Sequence, residues 1–211
     1  MNVILQSEDI KSSRRMQGKR LLADLETCKL ELKETLKKMF IAYDGAIGRA
    51  NGFFANIPPE SRARNFEPTV LQSCFADEVF QIFENNKAFY GKYKRLIVRS
   101  DGYLILFKKL NDKGLPMNIK TNNVQSILNQ SMVLDLFADS DYNDEPILYF
   151  GYQKNKTGLY EKPQLIYIDE DRVKFTITKE DIGYTIPIVN KSNNLVSDEP
   201  KLKKEKIAKK A

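Results

Sequence analysis

The spacing of apolar residues changes near residue 93, and this change constrains the fold more than any other feature. Before it, apolar residues recur every three or four positions, which is the period of an amphipathic helix. After it they recur at every second position, as in a strand. The order predicts an α+β fold, in which N-terminal helices, one of them long and amphipathic, pack on a C-terminal, mainly antiparallel sheet or meander flanked by basic terminal arms.

Two helices are predicted in the first half. The first spans about residues 19–46 and carries one apolar stripe, made of Leu21, Leu25, Cys28, Leu32, Leu36, Met39, Tyr43 and Ala46. Gly45, Gly48 and Gly52 break this pattern, and the prolines at 58 and 59 exclude helix at the residues before them. The second helix is predicted to begin at Glu67-Pro68, with proline in the first turn, and to end near residue 86.

The segment between these helices, residues 51–65, contains Arg62 and Arg64 and is able in principle to hold a phosphate. Its glycines lack the lysine and the spacing of a P-loop. We therefore interpret it as a connection.

The second half is predicted to be rich in strands. Ser100-Asp101-Gly102 separates strands at 94–99 and 103–109, which is a hairpin pattern. Because the strand at 103–109 is apolar on both faces, we expect both to be covered. A short helix capped near Thr121 is predicted at 122–131, and further strands at 132–137, 147–153, 164–169 and 172–178.

The net charge of +6 is concentrated at the two ends of the chain. Residues 1–20 hold five basic and two acidic residues, residues 191–211 hold seven and three, and the stretch between them has a net charge of −1. This distribution predicts a basic arm at 1–18, one α+β domain at 19–190 (helical at 19–88, rich in strands at 93–188) and a lysine-rich tail at 191–211. Such arms bind polyanions or acidic surfaces, or remain solvated.

The absence of histidine removes several kinds of chemistry at once. Ser-His-Asp and Cys-His catalysis, histidine-ligated zinc or haem, and imidazole pH switches are all excluded. Cys28 and Cys74 fall on apolar helix faces and are interpreted as small buried side chains. No apolar run is long enough to span a membrane or to form a signal peptide, so we expect a cytoplasmic protein, or a virion protein if the gene belongs to a phage.

The acidic segment at 135–145 has three readings. Asp139-x-Asp141-x-Asn143 matches the start of an EF-hand loop, but the sixth position is Asp144 instead of glycine and the twelfth is Phe150 instead of glutamate. A solvated turn is the second reading. The third is an acidic loop that receives the basic arm of a neighbouring subunit, through Asp139, Asp141, Asp144 and Glu145. A nuclease site at Asp169–Lys174 has the wrong spacing.

Basic and aromatic residues alternate at 87–99, as in single-stranded nucleic-acid grooves, although the rings could equally anchor a strand in the core. With the arms, this segment supplies the predicted contacts to nucleic acid or protein: Arg14, Arg15, Lys19, Arg20, Lys92, Lys94, Arg95, Lys201, Lys203, Lys204, Lys206, Lys209 and Lys210.

These features favour a non-enzymatic subunit of a large assembly, for example a capsid- or tail-associated ring of a phage. The long apolar stripe suits an intersubunit bundle, and the arms would reach neighbours or enclosed nucleic acid. The expected partners are copies of the chain and other assembly proteins, with nucleic acid as a further partner, no membrane and no cofactor. The alternative is a small nucleic-acid-binding regulatory protein that uses the arms and the 87–99 segment.

Overall fold

A computed structural model of the chain describes residues 18–84, 86–117, 121–131, 144–156 and 158–183. The helices are α1 (Leu25–Glu31), α2 (Lys33–Ala55), α3 (Phe66–Ile82) and α4 (Asn122–Leu128). The strands are β1 (Ala88–Gly91), β2 (Arg95–Ser100), β3 (Tyr103–Lys109), β4 (Ile147–Lys154), β5 (Tyr160–Asp169) and β6 (Arg172–Ile177). The predicted α+β class is confirmed. No helix within these ranges is both long and apolar enough to cross a membrane.

The six strands form one sheet in sequence order. All neighbouring pairs are antiparallel except β3 and β4, which are parallel, so the sheet is mainly antiparallel but is not a simple meander. A parallel pair needs a crossover connection, and α4 lies within it. The strand predicted at 132–137 lies outside the described residues, and β1 was not predicted.

Both faces of the sheet are covered, as predicted for the central strand. On one face, helices α1 to α3 pack with the sheet around Phe40, Phe75 and Phe150, which are fully buried. On the other face, Ile127 of α4 and Leu110 pack on Leu104 and neighbouring strand residues. The apolar stripe of the first predicted helix is therefore used inside one chain.

The first predicted helix starts later and ends later than the sequence pattern indicated. Residues 19–21 instead lie along the α4–β4 region, where the Arg20 N–H donates to Gln130 and the Leu21 N–H donates to Asp144. The Asp24 side chain accepts from the Thr27 N–H and caps α1. A break at Leu32 separates α1 from α2.

The three glycines at 45, 48 and 52 do not end α2, contrary to the prediction. A glycine inside a helix costs only about 1 kcal/mol relative to alanine, and packing of α2 against α3 and the sheet exceeds that cost. The helix ends at Ala55, shortly before Pro58, because a residue that precedes proline disfavours helical geometry.

Candidate anion-binding site

The directions of the strands bring many cationic side chains to one end of the sheet. The carboxyl ends of the parallel strands β3 and β4 lie there together with the amino ends of the antiparallel strands β2 and β5. The loop before α3 also reaches this end, because it lines a cavity with residues of β3 and β4. We call this region the basic end; its cations are Arg62, Arg64, Lys92, Lys94, Arg95, Lys108, Lys109 and Lys154.

A cavity of about 280 Å³ opens at the basic end. Four cations and one carboxylate line it, together with a tyrosine and small apolar residues: Arg62, Arg64, Lys109, Lys154, Glu67, Tyr160, Pro59, Ala63 and Pro68. The charged side chains of the cavity therefore sum to +3, in a body whose net charge is close to zero. A concave site with this charge attracts anions.

Glu67 is the single carboxylate that lines the cavity, and both of its oxygens accept hydrogen bonds from other side chains. It accepts a short hydrogen bond from Lys154 Nζ, one of 2.9 Å from the Tyr160 hydroxyl and one of 2.8 Å from Arg62 Nη1. The hydrogen bond from Lys154 is the main cause that lowers the pKa of Glu67 to about 2, against the opposing effect of burial. Glu67 therefore stays ionised and holds two of the cations in place.

Arg62 is fixed by backbone carbonyls as well as by Glu67. Its Nη2 donates to the Phe54 carbonyl at 2.6 Å, and its Nε donates to the Ile57 carbonyl at 2.9 Å. The guanidinium thereby bonds one carbonyl in the last turn of α2, which has no partner within the helix, and one carbonyl just after the helix. It positions the loop that carries Arg64.

Arg64 and Lys109 differ from the other two cations of the cavity. Within the described residues, the side chains of Arg64 and Lys109 form no hydrogen bond or ion pair. Arg64 is exposed on the loop before α3, whereas Lys109 is half-buried at the end of β3. These two side chains are available to an anion that enters the cavity.

The predicted contact residues at 92–95 also lie at the basic end. They connect β1 to β2 through a short 3-10 turn, in which Lys92 and Lys94 are exposed. Burial lowers the pKa of Lys108, on the neighbouring strand β3, and the Arg95 cation adds to this effect. Phe89 packs in the core, but Tyr90, next to the end of β1, is 52% exposed.

Lys19 and Arg20, two other predicted contacts, lie at the opposite end of the sheet. The Lys19 ammonium pairs with Asp169 at 2.9 Å. Arg20 is completely buried, donates to the Glu145 carbonyl at 3.1 Å and has a pKa that burial lowers. Arg20 is therefore an internal structural residue, and its prediction as a surface contact is wrong, because no sequence pattern indicates that residues 20 and 21 bond to Gln130 and Asp144.

Glu145, predicted as part of an acidic acceptor loop, is bound within the chain. Its carboxylate accepts two hydrogen bonds from Arg99 Nε, at 2.8 and 3.1 Å, and one from Nη2 at 2.5 Å. Asp144 accepts the Leu21 N–H through its backbone carbonyl. Asp139 and Asp141 lie outside the described residues, as do Arg14, Arg15 and all the predicted lysines of the tail.

The described residues hold no group of three or more cysteine, aspartate or glutamate side chains placed to bind a metal. The Asp169–Lys174 segment is a tight hairpin turn, with φ of 54° at Glu170 and 57° at Asp171. Glu170 pairs with Lys174 at 2.9 Å, and both it and Asp171 are exposed. These carboxylates belong to a turn.

Four members of the cavity were not singled out from the sequence: Glu67, Lys109, Lys154 and Tyr160. Glu67 is 87 residues from Lys154 and 93 residues from Tyr160 along the chain. The pairing of β4 with β3 and with β5 brings Lys109, Lys154 and Tyr160 together, and the first turn of α3 adds Glu67. The sequence signal for two of them was weak: the predicted strand at 103–109 ends at Lys109, and Lys154 directly follows the predicted strand at 147–153.

Comparison of the chain with protein-family models, with curated proteins and with solved structures found no match. We therefore infer a function for the chain from the geometry of its basic end.

Proposed function

We propose that the chain binds single-stranded nucleic acid across the basic end of its sheet. The observation that carries this proposal is the cavity in which Arg64 and Lys109 have no anionic partner within the described residues. Cationic grooves that follow the phosphates, with rings on which bases stack, are how proteins bind single strands with little sequence preference. Tyr90 supplies an exposed ring at the same end.

The terminal segments favour the same partner. Residues 191–211 carry a net charge of +4 that is independent of any fold, and such a tail raises the rate and strength of association with a polyanion. Its contribution falls as salt screens it, whereas a cation inside a cavity is screened less. The tail and the cavity therefore contribute separable parts of the affinity.

Fluorescence anisotropy of a 3′-labelled, 20-nucleotide single strand over a salt series tests the proposal. We expect the Arg64→Gln/Lys109→Gln double variant to bind about tenfold more weakly than the parent at 0.1 M salt. The slope of log affinity against log salt should also fall by about 1.4, since each phosphate contact to a single strand contributes about 0.7.

The matched control is Lys33→Gln/Lys174→Gln, which removes the same charge. Lys33 begins α2 and Lys174 follows the β5–β6 turn, both away from the basic end. The control should bind within about twofold of the parent. Equal weakening in the two double variants would show that net charge alone drives binding, and no binding by the parent would refute the proposal.

An assembly subunit is the second candidate, favoured by carboxylates that are exposed at the end of the sheet opposite the basic end. Opposite the basic end, the β2–β3 and β5–β6 turns expose Asp101, Glu170 and Asp171. A basic tail or a basic end of a neighbouring copy is complementary to this surface. Light-scattering mass of the chain with and without residues 191–211 tests it. An oligomer that dissociates when the tail is removed supports assembly, and a monomer at tens of micromolar refutes it.

A further inference from the structure

We infer that the cavity at the basic end takes a phosphomonoester on a sugar, that is, a terminal phosphate instead of an internal phosphodiester. This inference rests on the proposed function and names the group that the same site binds. A phosphomonoester is carried either by the 5′ end of a strand or by a free nucleoside monophosphate, and both present the same chemistry to the cavity.

The charge of the cavity matches a dianion. Four cations oppose one carboxylate, and that carboxylate is already shared between Arg62, Lys154 and Tyr160. The remaining cations, Arg64 and Lys109, come from two different elements. A phosphomonoester carries a charge of about −1.5 to −2 at pH 7 and offers three acceptor oxygens, whereas an internal diester carries −1 and offers two.

The walls of the cavity can accommodate a nucleotide but offer few polar groups that could distinguish one base from another. Pro59 lies in the short turn before Arg62, and Pro68 lies in the first turn of α3. Neither has an N–H group, and their rings present apolar surface on which a sugar or base can rest. The volume of about 280 Å³ is near the lower limit of ligand pockets and is suited to one nucleotide.

The test compares two oligonucleotides of one sequence, labelled at the 3′ end, one with a 5′-phosphate and one with a 5′-hydroxyl. At 0.15 M salt and pH 7.5 we expect the 5′-phosphorylated strand to bind at least tenfold more tightly. Arg64→Gln/Lys109→Gln should abolish this preference, while Lys33→Gln/Lys174→Gln should keep it.

A pH series separates the two kinds of phosphate. The second pKa of a phosphomonoester is about 6, so affinity for the 5′-phosphorylated strand should fall about tenfold between pH 7.5 and 5.0. The groups facing the cavity are Arg62, Arg64, Glu67, Lys109, Lys154 and Tyr160, and the chain has no histidine to titrate in this range. Affinity for the 5′-hydroxyl strand should change by less than twofold.

The outcomes distinguish this inference from the proposed function. Equal affinity for both strands, lowered by Arg64→Gln/Lys109→Gln, overturns the terminal phosphate but leaves nucleic-acid binding in place. Binding of neither strand overturns both. A nucleoside monophosphate that competes at micromolar concentration identifies a free nucleotide as the source, and a monophosphate that competes only at millimolar concentration identifies the end of a strand; inorganic phosphate serves as the reference competitor.

Discussion

The substitution Glu67→Gln should change the stability of the fold and the binding of an anion in opposite directions, because the Glu67 carboxylate stabilises the fold but repels an anion in the cavity. The pKa of Glu67 is lowered from an ordinary 4.5 to about 2, and its side chain is 21% exposed. At about 1.4 kcal/mol for each pH unit, this shift is worth about 3 kcal/mol at pH 7 before solvent screening. We expect the variant to lose about 2–3 kcal/mol of unfolding free energy at pH 7.

The pH dependence of this loss is the sharper test. A carboxylate whose pKa is lowered by folding stabilises the protein above its unfolded pKa, and that stabilisation disappears as the pH falls through the folded value. The difference between parent and Glu67→Gln should therefore shrink by about half between pH 7 and pH 3. Urea unfolding followed by circular dichroism at pH 3, 4, 5 and 7 measures it.

Glu34→Gln is the matched control. Glu34 is exposed on α2 and pairs only with Lys37 among the described residues, at 2.8 Å, a surface arrangement that contributes little. Its substitution should leave the free energy of unfolding nearly unchanged at every pH. A loss at Glu67 that stays constant from pH 7 to pH 3 would refute the assignment of that stability to the ionised carboxylate.

Binding should change in the opposite direction. Removing one negative charge about 6 Å from a bound anion favours that anion by about 0.7 kcal/mol in a water-like medium and about 3 kcal/mol at an effective dielectric constant of about 20. Glu67→Gln should therefore bind the 5′-phosphorylated strand more tightly, between about threefold and a hundredfold. Weaker binding by a folded Glu67→Gln variant would show that Glu67 holds Arg62 and Lys154 in the geometry needed for the ligand.

Four further substitutions test how the fold is held together, each by urea unfolding at pH 7. Gln130→Ala should cost about 3 kcal/mol, because the Gln130 side chain bonds the N–H and carbonyl of Ile147 and the carbonyl of Ile168 inside the core, and a loss under 1 kcal/mol would contradict this. Gly48→Ala should stabilise α2 by about 0.5–1 kcal/mol, since nothing lies within 4 Å of the added methyl group. Gly151→Ala should instead cost about 1–3 kcal/mol, since its methyl group would lie 2.5 Å from the Leu110 side chain. If both substitutions changed stability in the same direction, the packing described for β4 would be refuted. Asp171→Gly should stabilise by about 1 kcal/mol, because φ there is 57°, and an unchanged midpoint would show that the turn is not strained.

The pattern of apolar residues was sufficient to predict the fold class, because periodicity records which faces of local elements are buried. The hairpin at Asp101 and Gly102 was predictable, since an Asp-Gly pair between two strands is typical of a turn with positive φ at both residues, and φ is positive at both. The end of α2 was not predictable from its glycines. Their local cost is about 1 kcal/mol each, and tertiary packing supplied more than that.

The apolar pattern and the composition are sufficient to predict the α+β class, the absence of imidazole chemistry and the concentration of positive charge in the terminal segments. The tertiary structure sets where the cations of the cavity lie. Arg64 and Lys109 are distant in the chain, and they line one cavity because β3 and β4 run parallel and end beside the loop that precedes α3. It also decided that Arg20 is internal and that the apolar stripe of α2 is used within the chain. Burial and charge pairing depend on distances in space, which a single sequence does not contain.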